Sequence, residues 1–266
     1  MKDLCVLIMA AGKGTRMVSE RAKVLHGLCG RPMLRLVYDA AAALEPDDIL
    51  IVIGQDADRV RDTWSGYPAT FIYQAEQLGT GHALIAARED LEKRAGDALV
   101  LFGDAPRIQP STLERLAAHH RSSGADLTLL TAHAPDPYAY GRILRDAQGR
   151  IQAIVEEKDA TATQRLITEV NPGFYCFRIP ALLDSLGSLT TDNAQKEYYV
   201  TDLVEIERRA GRKVETLLHS DFQELRGINT RRELAETAAA LRAEKNRSLM
   251  AAGVTLIDPE RTYVDL

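Results

Sequence analysis

Lys13, Arg16 and Lys23 crowd a short segment that also carries Gly12 and Gly14 and follows directly on the apolar run 4–11. Small residues let backbone amides approach a ligand closely, and successive N–H groups in a turn form a nest for an anion. Arginine adds a planar fork for phosphate oxygens, and lysine a mobile point charge. Met1 to Arg35 holds seven basic and two acidic residues, a net +5, in a chain whose overall charge is −5. The segment reads as a phosphate site, against the plainer reading of a tight strand–helix connection with a solvated basic face. It is not a P-loop, because Lys13 falls between the two glycines. Nor is it G-x-G-x-x-G, because Arg16 and Met17 follow Gly14.

A second centre is acidic. Val100-Leu101-Phe102-Gly103-Asp104-Ala105-Pro106 places a lone carboxylate at the end of an apolar run. An aspartate there can hold Mg²⁺, a hard cation that takes oxygen ligands and keeps waters and substrate phosphates as the others. The plainer alternative is a turn or cap aspartate. Other chemistries find little support. His119 and His120 lack zinc-site spacing, His82 near a helix start reads as structural, and no Ser-His-Asp set is recognisable. Cys5, Cys29 and Cys176 are odd in number and widely spaced, which fits reduced thiols in a cytoplasmic protein. The acidic balance argues against general nucleic-acid binding, and the run 4–11 is too short to span a membrane.

These groups need a scaffold. Apolar runs at 4–9, 49–53, 69–73, 98–102 and 127–131 read as strands, and 33–44, 79–91 and 111–122 as helices. Pro32 suits a first helical position, and Ser111 with Glu114 makes a capping-box pattern. Strand–helix alternation predicts an α/β fold with a mainly parallel sheet and helices on both faces, binding ligands beyond the carboxyl ends of its strands. After about Ala134 the pattern becomes β-rich: 143–145 and 150–155 flank a turn at 146–149, and 171–177 reads as one further strand. This part resembles an insertion walling one side of a cleft. Residues 230–252 read as a long helix stopped by Gly253.

Several motifs then agree. Met9-Ala10-Ala11-Gly12-Lys13-Gly14-Thr15-Arg16-Met17, Gln74-Ala75-Glu76-Gln77-Leu78-Gly79-Thr80-Gly81-His82-Ala83 and Phe102-Gly103-Asp104 resemble bacterial N-acetylglucosamine-1-phosphate uridylyltransferase. So do Tyr140-Gly141-Arg142-Ile143, the run from Ile154 to Thr161, Asn193-Ala194-Gln195 with Glu197-Tyr198-Tyr199, and Gly227-Ile228-Asn229. In that family the domain is usually the N-terminal half of a bifunctional enzyme whose second half is a left-handed β-helix acetyltransferase. Single motifs are shared with other sugar nucleotidyltransferases; the ordered set, spanning nearly the whole chain, is specific.

The resemblance implies a Rossmann-like nucleotidyltransferase fold with a sugar-binding β-rich insertion. It divides the chain into a nucleotidyltransferase domain at 1–229, with nucleotide half 1–133 and sugar half 134–229, and a helical arm and tail at 230–266. It implies transfer of UMP from UTP to N-acetylglucosamine 1-phosphate for cell-wall precursor synthesis. Met9, Ala10, Ala11 and Gly12 would surround the nucleotide, Arg16 and Lys23 would hold its phosphates, and Gln74, Gly79 and Thr80 would read uracil. Phe102 and Gly103 would contribute backbone. Asp104 and Asn229 would be the protein ligands of Mg²⁺, and Gly141, Glu156 and Asn171 would contact the amino sugar. Lys158 could reach the sugar phosphate or equally stand as a solvent-exposed lysine, and Tyr198 and Tyr199 are expected to pack rather than to bind.

Four residues depart from the family pattern: Phe102 for tyrosine, Ala105 for a larger residue, Pro172 for threonine and Lys196 for glycine. They bear on sugar specificity more than on reaction type. Two competing readings are a uridylyl- or thymidylyltransferase for glucose 1-phosphate and a non-catalytic sugar-nucleotide regulator. Retention of Arg16, Lys23, Asp104 and Asn229 favours an enzyme over the regulator. No hexapeptide repeat occurs, so no β-helix acetyltransferase domain and a monomer are expected.

Overall fold

The computed structural model describes residues 1–54, 56–64 and 66–266. Strand β1 (Leu4–Met9) is buried on both faces, as a central parallel strand must be when helices cover each side of a sheet. Its alternate residues feed different cores. Leu4, Val6 and Ile8 join one cluster, and Cys5, Leu7 and Met9 the other. A small hairpin of β2 (Gly27–Leu28) and β3 (Arg31–Pro32) leads into α1 (Met33–Ala42). Pro32 is the N-cap of α1, one place before the expected first turn.

From there the chain builds outward through β4 (Asp48–Ile53), α2 (Ala57–Asp62) and β5 (Thr70–Tyr73), each strand parallel to its neighbour. Helices α3 (Thr80–Ala86) and α4 (Arg88–Leu91) follow; the single helix expected over 79–91 is broken at Ala87. Strand β6 (Asp97–Phe102) then returns to the opposite edge of β1. The growth of the sheet reverses between β1 and β6, and such a switch point opens a crevice beyond the carboxyl ends of the two strands. Met9 and Phe102 end side by side there.

Helix α5 (Pro110–Ser123) starts with proline at its first position and Gln109 as N-cap. The expected Ser111–Glu114 capping box does not form, because proline's fixed φ and missing N–H make Pro110 the natural start and put Ser111 inside the helix. Next come β7 (Leu127–His133), the hairpin β8 (Gly141–Arg145) and β9 (Ile151–Val155), and then β10 (Glu169–Asn171) and β11 (Tyr175–Arg178). Helices α6 (Ile179–Leu186) and α7 (Asp202–Arg209), strand β12 (Val214–His219), and helices α8 (Phe222–Leu225) and α9 (Arg231–Ala251) complete the chain. Thr230 caps α9 in a reciprocal capping box with Glu233, and Gly253 follows it at φ 92°.

The strand expected over 171–177 is thus two strands. Both run antiparallel along one edge of β7, separated by Pro172-Gly173-Phe174. On their far side β11 pairs with β6, while β10 pairs with β8, so the sheet forks. One branch carries the β6 end at Phe102; the other begins at Gly141, opposite Asn171. Most of the ten main-sheet strands run in the β1 direction, and β9, β10 and β11 oppose it.

Gly173 makes the fork possible. Its φ is +96°, and a Cβ there would lie 2.5 Å from the Phe102 ring. Gly173→Ala is therefore expected to lower the unfolding free energy by about 1–3 kcal/mol, read as a lower urea midpoint at unchanged slope. An unaltered midpoint would show that ring and backbone relax freely.

Candidate active site

A cleft of about 630 Å³ occupies the switch point and the fork together. Its floor is the β1 end and the loop after it: Met9, Ala10, Ala11, Gly12, Lys13 and Gly14 all line it. Gly14 has φ +59°, and a Cβ there would sit 2.6 Å from the Lys23 Cβ, so only glycine lets the two segments close together. The turn Thr15–Met17 follows and presents Arg16 at the cleft, while Met17 is buried beneath it.

The cations meet the acidic centre here. The Lys23 ammonium pairs with Asp104 Oδ2 and also donates to Asn229 Oδ1 at 3.1 Å; Arg16 donates to the same amide oxygen at 2.9 Å. Asp104 is held by the strand pairing behind it, since Gly103 N donates to Met9 O and Ile228 N to Asp104 O. The Lys23 and Asp104 side chains are only 13% and 16% exposed. In such a place either charge left alone would be strongly unfavourable.

The Asp104 and Asn229 oxygens converge on one ammonium, so they can also converge on one cation. One anionic and one neutral oxygen suit a hard divalent ion that completes its shell with water and phosphate. Among the described residues no group of three or more His, Cys, Asp or Glu side chains could hold a metal. The Asp104–Asn229 pair therefore fits an ion shared with a polyanionic ligand rather than a closed structural site.

The far end of the cleft is acidic and amidic. Glu156 Oε1 accepts from the Thr201 hydroxyl at 3.0 Å. Burial raises the Glu156 carboxyl above its usual range, aided by nearby Asp202 and Asp159 and opposed by the Thr201 hydrogen bond. Asn171 donates to the Tyr175 hydroxyl at 2.6 Å and accepts from Gly173 N at 3.2 Å, which fixes its amide at the fork. Gly141 and Pro172 line the same end, and Glu197 lines the cleft beside Gly79. The third group is buried Gln74, just after β5. Gly79 and Thr80 lie beside it, and the Thr80 hydroxyl accepts from Val200 N at 3.0 Å.

Of the candidates singled out in the sequence, Met9, Ala10, Ala11, Gly12, Arg16, Lys23, Gln74, Gly79, Thr80, Phe102, Asp104, Gly141, Glu156, Asn171 and Asn229 all line this cleft. Gly103 does not: it is buried behind the site against Leu34, Val24 and Met9. Lys158 is exposed and lies outside the lining, as do Tyr198 and Tyr199. Lys196 adopts φ +55°, the left-handed region in which glycine is unstrained. Tyr175, Thr201 and Gly173 were missed. Asn171-Pro172-Gly173 carries a turn signal that could have located Gly173; nothing local marks Thr201 or Tyr175. Burial raises the Cys5 thiol to about 12 and pushes Cys176 well up, so neither offers a thiolate.

Residues 6–172 match the MobA-like NTP transferase domain. The chain belongs to that family. This nucleotidyltransferase chain is 48% identical over 263 residues to the Bifunctional protein GlmU of Pelotomaculum thermopropionicum, covering 99% of the chain and 57% of that protein. The Syntrophotalea carbinolica protein of the same name is 44% identical over 263 residues, 99% of this chain and 56% of its own. The one from Lactobacillus gasseri is 44% identical over 260 residues, 98% and 56%. The chain thus spans somewhat more than half the length of these curated relatives. They bear out the resemblance drawn from the ordered motifs. Among the described residues no helix is long and apolar enough to cross a membrane.

Asp202, next to Thr201 at the start of α7, supplies a pH signature. Burial, and then Glu205 and Asp159, raise its carboxyl from 3.8 to about 6. A raised folded-state value means that the folded chain holds this proton more tightly than the unfolded one. Stability is lost as pH climbs from about 4 through about 6. Asp202→Asn, which stays neutral, is expected to gain on the parent in urea midpoint between pH 4 and pH 7. A gap independent of pH would contradict the assignment.

Proposed function

We propose that this chain transfers UMP from UTP to N-acetylglucosamine 1-phosphate, releasing pyrophosphate and forming UDP-N-acetylglucosamine. The observation that carries the reading is the convergence of Arg16, Lys23, Asp104 and Asn229 at one end of a cleft whose other end offers Glu156 and Asn171. A triphosphate needs cations, and a sugar needs carboxylates and amides that bond hydroxyls and an acetamido group. Residues 1–133 then form the nucleotide half and 134–229 the sugar half. The ordered motifs and the GlmU relatives support the same substrates, and the setting is synthesis of cell-wall precursors in the cytoplasm.

The chemistry is in-line displacement. A phosphate oxygen of the sugar phosphate attacks the α-phosphorus of UTP. The new P–O bond forms as the α–β bridge breaks, and its electron pair leaves with pyrophosphate. The nucleophile is already an anion at neutral pH, so no general base is required. The obstacle is repulsion between two anions, and the remedy is alignment and neutralisation. Arg16 and Lys23 hold the β- and γ-phosphates and offset charge on the leaving group. Gln74, Gly79 and Thr80 seat the base, and Gly141, Glu156 and Asn171 orient the sugar. Asp104 and Asn229 would hold Mg²⁺, which supplies further neutralisation of the phosphates when bound.

Asp104→Ala is expected to lower turnover at least about 100-fold while circular dichroism shows a retained fold, at a lowered denaturation midpoint because the Lys23 charge is left unpaired. Near-parental pyrophosphate release would reject the metal assignment. Substrate identity is tested by pyrophosphate release from UTP, dTTP, CTP, ATP and GTP with the 1-phosphates of N-acetylglucosamine, glucose and N-acetylgalactosamine. UTP with N-acetylglucosamine 1-phosphate is expected to react fastest. A preference for glucose 1-phosphate would overturn the sugar assignment.

A further inference from the structure

Gln74 is 3% exposed, yet it lines the cleft. Both N–H bonds of its amide are committed: Nε2 donates to Gly79 O at 3.3 Å and meets His82 Nδ1 at 2.9 Å. Its Oε1 takes no hydrogen bond from the described residues. An amide nitrogen and oxygen look alike in outline, so the orientation must be settled by chemistry. The Gly79 carbonyl settles it. A carbonyl oxygen only accepts, so the amide atom facing it is the nitrogen. The same NH₂ group then faces His82, whose Nδ1 must accept and whose proton must sit on Nε2. The opposite tautomer would turn the amide over and set its oxygen against the Gly79 carbonyl.

The imidazole is itself restrained. It stacks on Tyr198 with ring centroids 6.0 Å apart and planes 25° apart. Tyr198 is tied to the same segment on both sides of Gly79: its N donates to Leu78 O at 2.8 Å, and its O accepts from Gly81 N at 2.7 Å. His82 thus presents an acceptor at a fixed place beneath the base-reading amide.

We infer that His82 is a specificity-determining positioning residue. It holds the Gln74 amide with its oxygen left for the ligand, so the site accepts a pyrimidine that offers an N–H at that edge and refuses one that offers a lone pair. Uracil and thymine have the N–H; cytosine has the lone pair. This rests on the base-site reading of Gln74 proposed above. A buried acceptor facing an acceptor is penalised far more than a merely weaker bond, because neither lone pair has water to turn to.

The test compares kcat/KM for UTP and CTP in the parent, His82→Leu and His82→Asn. Leucine has a similar shape and no acceptor; asparagine can place its Oδ1 where Nδ1 stands. The parent is expected to favour UTP by at least about 100-fold. In His82→Leu that ratio is expected to fall about 10-fold or more, chiefly through KM rather than kcat, and His82→Asn should recover most of it. An unchanged ratio in His82→Leu overturns the inference. A parent that uses CTP as readily as UTP would instead defeat the base-site reading, and the parent alone reports that. Independently of any variant, two-bond ¹H–¹⁵N correlation of the native imidazoles should show His82 as the Nε2–H tautomer; a proton on Nδ1 would overturn the inference even if His82→Leu did not fold.

Discussion

Charge compensation around one ammonium organises the chain. Lys23 comes from the basic N-terminal segment, Asp104 from the loop after β6 and Asn229 from the turn before α9, and all three meet at the Lys23 Nζ. Arg16 adds a second donor to Asn229 Oδ1. Removing water from such a group is tolerable only when opposite charge and polar oxygens replace it. The contacts therefore depend on the fold that brings them together, and they tie three segments far apart in sequence. A polyanion entering the cleft meets cations already held in place, so little reorganisation is required as charge develops.

The sheet topology explains why these groups meet where they do. Reversal of strand order between β1 and β6 opens a crevice in any parallel sheet. Here the crevice is extended by the fork at Pro172-Gly173-Phe174, which carries β8 away from β6 and leaves room between Phe102 and Gly141. Met9 to Gly14, Phe102 and Asp104 lie at the switch point, and Gly141, Asn171 and Gly173 at the fork. Two local features of backbone, a reversal and a break, thus make one continuous cleft.

Much of this could be read from the residues. The parallel strands were legible because strands buried on both faces are nearly continuous apolar runs, as Leu4–Met9 shows. The cation-rich loop was legible because glycine and basic side chains cluster where a first strand ends. What escaped depended on partners distant in the chain. From Asn171 to Phe177 the letters suggest one strand, and only the competing pairings with β6 and β8 break it in two. Ser111 looked like a helix cap because its spacing to Glu114 is right, but Pro110 holds a stronger claim to the helix start. Thr201 and Tyr175 line the cleft and hold Glu156 and Asn171, contacts that no local pattern announces.

The short segment from Glu197 to Thr201 has a mechanical consequence. At one end the Tyr198 backbone bonds Leu78 and Gly81, and Val200 N bonds the Thr80 hydroxyl; at the other, Thr201 grips Glu156. It acts as a yoke between the Gln74–Thr80 region of the cleft and its Glu156 end. A shift of this peptide cannot disturb one of these regions and spare the other. On the proposed reaction, kinetic defects from substitutions along it belong to donor and acceptor jointly, and neither end of the cleft can be redesigned there in isolation.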